Sequence, residues 1–442
     1  MVKKKISTEI QRSYVCEITA KEEGKHVIVK GWVHDIRDLG SIKFILLKDI
    51  TGIIQIVVPK TETPKKIFDE ISKIYRESCI EVEGKVKVSK QAPEGREILP
   101  SKLNIISQSL PILPIDTSDF SKTEMPKRLD YRYLDLRNRK TQAIFKVQSE
   151  IAFSFREFFK NKNFIEIQPP CIISNASEGG TELFPVMYFE KPAYLAQSPQ
   201  LYKQMAACSI EKVFSISPVW RAEKHNTPRH LNEIRQMDIE VAFCNQFEIM
   251  QYLGDVIQYI VKKVKEKCEK ELKLLNLNLQ IPESKFISYQ EAIKLLKKNK
   301  VNISDGEDLT PEAEKKLSEI YPETIIFVHS WPLSLKPFYI MPKNMNVKSE
   351  DEESCGFDAI YGGIEISSGG QRIHLPDLLI KRIKAKGLNP EHFKSYIDSF
   401  RYGAPPHAGW SIGLERITGV LTKQENIRET CLFPRDTQRV TP

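Results

Sequence analysis

A chain of 442 residues is too long for one compact domain of ordinary size and long enough for two or three, each with its own core. Its 41% hydrophobic and 28% charged residues are globular in proportion and exclude disordered, collagenous and disulfide-stapled classes. Lysine and arginine outnumber the acidic residues 66 to 58, a net charge of +8 that mildly favours a polyanionic partner without forming a basic tail.

The eight cysteines are scattered without CxxC or zinc-ligand spacing, so they read as reduced thiols filling cores. The basic start MVKKKISTEI leads into no apolar run of signal-peptide length, and no stretch is long and apolar enough to span a membrane. A cytoplasmic protein is expected.

From about Val27 to Ile106 the pattern is short and alternating: HVIVKGWV, SIKFILLKD, GIIQIVVP and CIEVEGKVKV. Period-two strands between Gly, Asp and Lys turns predict a small barrel, and an OB-fold is the commonest of that size that handles oligonucleotides. Pro111, Pro114 and Pro126 then interrupt any helix or central strand, which marks a linker. Ile144, Val147, Ile151, Phe155 and Phe158 recur at helical spacing and predict an amphipathic helix over about 141–162, followed by the strand FIEIQPP. A second such helix carries Ile249, Leu253, Ile257, Val261, Val264, Cys268 and Leu272. The stretch 275–350 shows no clear motif and reads as an accessory insertion.

The chemistry concentrates in two places. Phe214 to Phe243 reads as strand, charged loop, strand, with Arg221, Glu223, Arg229 and His230 around the loop. Two arginines and a histidine on one hairpin make an anion site, although an isolated cluster of this size is more often a self-paired surface loop. Near the C-terminus, HAGWSIGLERITGVL places Gly409 and Gly413 about a strand that passes into a helix bearing Glu415 and Arg416. Glycine there admits a flat ligand against the backbone, and arginine at a helix start can grip a phosphate with two N–H groups.

Together with FIEIQPP, these segments resemble the three signature motifs of class II aminoacyl-tRNA synthetases, in the family's order. SEGGTELF, AQSPQLYKQ, RAEKHNTPRHLNE, IEISSGGQRIH, FRYGAPPHAGW and FPRDTQRVTP are most similar to the archaeal and eukaryotic type of aspartyl-tRNA synthetase. The resemblance covers nearly the whole chain. It implies an α+β multidomain fold: an N-terminal OB-fold β-barrel for the anticodon over 1–108, a linker over 109–138, and a class II antiparallel sheet flanked by helices over 139–442, with the insertion at about 275–350.

The resemblance also implies roles. Arg221 and Arg416 would clamp ATP and act as the catalytic pair, with Glu223, Arg229, His230 and Glu365 completing the ATP site. Lys203 and Arg372 would grip the aspartate side chain, Asp238 its ammonium, and Glu178 and Gln200 its remaining polar groups. Asp358, Glu365 and Ser368 would take Mg²⁺, whose hard character suits oxygen ligands. Pro170 would lie at a homodimer interface. In the barrel, Phe44 and Gln55 would meet anticodon bases, although Phe44 shares its alternation with Ile42 and Leu46 and so competes for the core. His34 and Pro93 match the pair that relaxed archaeal enzymes carry where strict ones carry Trp and Lys, which implies charging of both tRNA(Asp) and tRNA(Asn). The alternatives are an asparaginyl-tRNA synthetase and a catalytically silent RNA-binding paralogue.

Overall fold

The computed structural model describes residues 11–174 and 183–442, so Glu178 lies outside the described residues. The chain divides into two compact units, Met1–Phe120 and Ser121–Pro442, and the division falls within the proline-punctuated stretch.

The first unit is a closed barrel of β1 (His26–Asp38), β2 (Ile42–Lys48), β3 (Ile53–Pro59), β4 (Cys79–Val88) and β5 (Arg96–Ser107), joined edge to edge in the order β1-β2-β3-β5-β4. Helix α1 (Lys65–Ile71) separates β3 from β4 in sequence and adds Ile67, Phe68 and Ile71 to the barrel core. The alternation predicted from sequence is the cause of closure: Val27, Val29, Ile45, Leu47, Ile54, Ile56, Ile80 and Val82 all point inward. Gly84 is required where β4 crosses β5, because a Cβ there would stand 2.3 Å from the Leu99 carbonyl oxygen.

On β2 the buried positions are Lys43, Ile45, Leu47 and the terminal Lys48, so Ile42, Phe44 and Leu46 form the outer, half-exposed row. Core packing therefore does not claim Phe44. Lys43 holds an inward position because its Nζ donates to the Phe68 carbonyl at 3.1 Å and its cation lies 4.3 Å from the Phe68 ring centroid.

The second unit begins with short helices α2 (Met125–Asp130) and α3 (Arg132–Asp135), then α4 (Arg139–Asn161), capped by the Asn138 side chain, which accepts from the N–H groups of Lys140 and Thr141. Buried Arg132 donates to the carbonyls of Glu429, Cys431 and Leu432, which pins the α2–α3 segment to the C-terminal end of the same unit. Then come β6 (Ile165–Glu166), β7 (Ile172–Ile173), β8 (Pro185–Tyr188), β9 (Lys191–Leu195), α5 (Gln200–Ile210), β10 (Lys212–Trp220), β11 (Glu233–Ala242), α6 (Gln246–Lys267) and α7 (Glu269–Leu274). The chain continues through β12 (Glu283–Ser288), α8 (Tyr289–Lys298), α9 (Pro311–Ile320), β13 (Thr324–His329), β14 (Gly356–Tyr361), β15 (Ile364–Gln371), α10 (Pro376–Ala385), α11 (Lys394–Phe400), β16 (His407–Gly413) and α12 (Leu414–Thr422).

The main sheet has eight strands in the order β12-β13-β14-β15-β16-β11-β10-β6, and β7-β9-β8 form a separate small sheet. The inner pairs are antiparallel, as expected, while the two outer pairs, β12 with β13 and β10 with β6, are parallel. The 275–350 stretch thus builds part of the sheet: β12 and β13 extend its edge, and α8 and α9 cover their own cluster of Ile293, Leu296, Leu317, Ile326 and Val328.

Side-chain alternation decides where a site can form. On β11, Met237, Ile239 and Val241 enter the core beneath α4 and α6, as do Ala408, Trp410 and Ile412 of β16. The intervening Gln236, Asp238 and Glu240 belong to the opposite face, which is also buried but polar. A polar row across the middle of a buried sheet is costly unless partnered, and its partners form the cleft described next.

Candidate active site

A single cleft on this face is lined by Gln200, Lys203, Arg221, Glu223, Arg229, His230, Glu365, Ser368, Arg372 and Arg416. Residues spread over more than 200 positions converge there, and with them come Lys336, Tyr339 and Glu415, which sequence reading did not assign to a ligand.

At one end sit two buried cations. Lys203 on α5 donates to Asp238 Oδ1 at 2.8 Å and to the Trp410 carbonyl at 3.1 Å, with Glu240 Oε2 at 3.6 Å. Arg372 donates Nε to Glu240 Oε1 at 2.9 Å and Nη2 to Glu240 Oε2 at 3.3 Å, and its guanidinium lies 5.4 Å from the Tyr339 ring centroid. Burial opposes the Arg372 charge, but Glu240 outweighs it and holds the guanidinium above its ordinary pKa. Gly409 makes room for this quartet, since a Cβ there would lie 2.0 Å from Glu240 Oε2. Glu240 was legible as the residue two beyond Asp238 on the same strand face.

Gln200 reaches the cleft from the same helix as Lys203. Its Nε2 donates to Gln204 Oε1 at 2.8 Å, and that oxygen also accepts from the Tyr396 hydroxyl at 2.9 Å. The Gln200 amide therefore keeps its carbonyl as the group available to a ligand ammonium.

At the other end lies the hairpin loop between β10 and β11. Asn232 clamps its base, donating to the carbonyls of Arg221 at 2.7 Å and Glu223 at 3.0 Å. Its tip is held by the C-terminal segment: Arg428 Nη1 donates to the Thr227 carbonyl at 2.9 Å, and the Ile427 N–H to that of Pro228 at 2.8 Å. His230 accepts or donates at Nδ1 to Thr227 Oγ1, 2.6 Å away, and stands 3.9 Å from Glu223. Burial, and the nearby Arg416, Arg221 and Arg229 against the opposing pull of Glu223, push its pKa below that of an ordinary histidine.

Arg416 opens α12 and donates to the Glu365 carbonyl at 2.8 Å. Asp358 and Ser368 face each other in the β14–β15 register, while Glu365 pairs with Ile360 beyond a bulge. Lys336 donates to Asp358 Oδ2 at 2.5 Å. Burial, then the charge of Asp358, pushes Glu365 up to about 7. Among the described residues no three His, Cys, Asp or Glu side chains converge on one point. Pro170, between β6 and β7, lies away from the cleft on the surface.

On the barrel, Leu46 pairs with Gln55 and Phe44 with Val57, which makes Phe44 and Gln55 diagonal neighbours on the outer face. Gln55 Nε2 donates to Glu97 Oε2 at 2.8 Å. His34 sits in the bulge of β1 between Val33 and Asp35, and exposed Pro93 opens the turn between β4 and β5.

Residues 124–437 match the family model of tRNA synthetases class II (D, K and N), and residues 27–106 that of the OB-fold nucleic acid binding domain. An aspartate–tRNA(Asp/Asn) ligase from Methanopyrus kandleri is 46% identical, covering 98% of this chain and 100% of that one. An aspartate–tRNA(Asp) ligase from Pyrococcus horikoshii is also 46% identical, over 98% and 100%. The crystal structure of asparaginyl-tRNA synthetase from Pyrococcus horikoshii complexed with asparaginyl-adenylate superposes with a TM-score of 0.93 at 34% identity, over 98% and 100%. Matching in sequence and in fold across nearly its whole length, the chain belongs to the class II tRNA synthetases of the D, K and N group, with an OB-fold domain at its N-terminal side.

Proposed function

We propose that the protein activates L-aspartate with ATP and transfers it to the 3′ end of tRNA(Asp), and also of tRNA(Asn). The observation that carries this reading is a cleft with two donor-rich ends: buried Lys203 and Arg372, each paired with a carboxylate but offering only N–H groups, at one, and Arg221, Arg229 and Arg416 at the other. An amino acid with a second carboxylate suits the first end and a triphosphate the second.

The reaction needs no side-chain nucleophile. The aspartate α-carboxylate attacks the α-phosphorus of ATP, releasing pyrophosphate, and a ribose hydroxyl of the tRNA then displaces AMP from the aspartyl-adenylate. Catalysis rests on alignment and charge neutralisation, which fixed arginines supply without reorganising during the reaction. Arg221 and Arg416 are assigned to the phosphates, with Glu223, Arg229 and His230 beside them. Asp238 and the Gln200 carbonyl are assigned to the substrate ammonium. Glu178 keeps only the role that family resemblance implies.

Asp358, Glu365 and Ser368 are assigned to Mg²⁺. Two crowded carboxyl groups, one with its pKa raised to about 7, fit a divalent cation. With two carboxylates rather than three, phosphate oxygens and water would have to complete the coordination. When bound, the ion would neutralise phosphate charge; Lys336 supplies a positive charge to Asp358 in any case.

Phe44, Gln55, His34 and Pro93 are assigned to the anticodon, Pro170 to a homodimer interface, and the protein to the cytoplasm. No helix among the described residues is long and apolar enough to cross a membrane. An asparaginyl-tRNA synthetase is the competing reading, because it shares the fold. ATP–pyrophosphate exchange with aspartate and asparagine side by side decides between them: exchange with asparagine alone overturns the proposal, and exchange with neither favours the silent paralogue.

A further inference from the structure

The hairpin loop carries its arginine into a cradle that the sequence did not reveal. Arg229 Nη1 donates to Glu314 Oε2 at 2.7 Å, and Nη2 to the Gly363 carbonyl at 3.3 Å. The two acceptors belong to different elements, α9 and the β14–β15 turn, but they are one rigid piece because Ser318 Oγ on α9 accepts from the Gly363 N–H at 2.9 Å. The Glu314 side chain is only 12% exposed, and Arg229 still lines the cleft. A guanidinium has five N–H donors, so two fixed contacts orient the fork and leave others for a ligand.

We propose that Glu314 is a positioning residue for Arg229, holding the guanidinium at the phosphate end of the cleft and so setting the affinity for ATP and not for the amino acid. This deepens the reading of that end as an ATP site and rests on it. The backbone of the loop does not depend on Glu314, since Arg428 and Ile427 hold Thr227 and Pro228 independently. What Glu314 fixes is the side chain. An arginine on a long, flexible stem loses much rotamer freedom when it binds phosphate, and a buried carboxylate that has already ordered it removes that cost from the binding step.

The opposite arrangement, in which Glu314 sequesters Arg229 until phosphate displaces it, makes the contrary prediction. The test is ATP–pyrophosphate exchange by the full-length protein with Glu314→Ala, Glu314→Gln, Arg229→Ala and the double variant Arg229→Ala/Glu314→Ala. The expected result is a KM for ATP raised about tenfold by Glu314→Ala, with KM for aspartate and thermal midpoint near wild type, and no further rise when the change is added to Arg229→Ala. Glu314→Gln, which keeps a carbonyl acceptor, should lie between, and it carries the test if the alanine variant does not fold. A KM for ATP that is unchanged or lower in both Glu314 variants, or penalties that multiply in the double variant, overturns the proposal. A wild-type protein that fails to exchange overturns the ATP-site reading itself, which is a different outcome.

Discussion

Arg372 and Glu240 meet through two parallel hydrogen bonds, 2.9 and 3.3 Å, with both side chains buried. With Lys203 and Asp238 they form a quartet of two cations and two carboxylates. Net charge therefore does not select the substrate. Donor geometry does: ammonium and guanidinium groups offer only N–H, so the NH₂ of an asparagine side chain would face donors where a carboxylate is accepted. We expect exchange with aspartate and little with asparagine, a bias rooted in unpaired donors. Arg372→Leu should cost several kcal/mol in kcat/KM for aspartate, on the order of a buried charge pair losing one partner. Comparable exchange rates for the two amino acids, or unaltered aspartate kinetics in the variant, would remove this pair from the specificity site.

Glu415 gives a pH dependence with a definite sign. Burial pushes its carboxyl up to about 7, although it accepts hydrogen bonds from the Arg235 N–H at 3.0 and 3.1 Å. Between the ordinary 4.5 and about 7, the folded state keeps a proton that the unfolded chain has released. Stability from this group is full below 4.5 and is lost as pH rises through about 7. Glu415→Gln does not titrate, so relative to wild type it should gain on the order of 3 kcal/mol across that window. Denaturation midpoints of the two proteins measured from pH 4.5 to 8 test this. Midpoints that run parallel mean Glu415 does not hold its proton.

The sequence was legible wherever local pattern and local chemistry coincide. The barrel strands, α4, α6 and the hairpin loop each declare themselves within one segment, and Arg221, Arg229, His230 and Arg416 lie in motifs that carry their own context. Partners contributed by distant segments were not legible. Glu314 sits in an ordinary amphipathic helix, and Lys336 is a single cation in an apolar run; only the sheet brings them to Arg229 and Asp358. The 275–350 stretch shows no clear motif because its two strands pair in parallel across α8 and α9, so no hairpin signal marks them. Phe44 was ambiguous for a related reason: with Lys43 inward, the polarity of the β2 alternation inverts the face it indicates.

A second copy of the chain is expected at Pro170. Flanking it in sequence, Ile165 and Ile172 are 49% and 48% exposed on a single chain. A self-complementary contact of two such surfaces is the simplest closed assembly. Sedimentation should give twice the 50.9 kDa of one chain. A fully active species at 50.9 kDa contradicts this.

Relaxed choice of tRNA is expected from the barrel. The usual anticodons for aspartate and asparagine differ at the third base, C against U, which exchanges an amino donor for a carbonyl acceptor. A site built strictly for one rejects the other strongly, because a mismatched polar group is left unpaired. Here His34 sits in the β1 bulge, half-buried, with its carbonyl accepting from Arg76 Nε at 3.0 Å and its Nδ1 making no hydrogen bond among the described residues. Burial, then the charge of Lys48, lowers its pKa, which favours the neutral ring, whose Nε2 can accept or donate according to the tautomer. Such a ring can serve either base. Pro93, in the exposed turn between β4 and β5, offers no N–H and no charge to a base. In the roles assigned to them, Phe44 and Gln55 would supply stacking and a hydrogen bond that do not distinguish the two anticodons. Both tRNAs should therefore be charged with aspartate at rates within about tenfold, and His34→Trp combined with Pro93→Lys should reduce charging of tRNA(Asn) far more than that of tRNA(Asp). Charging of the two purified tRNAs by the wild type and the double variant checks this; a wild type that already rejects tRNA(Asn) by several orders of magnitude would place discrimination outside His34 and Pro93.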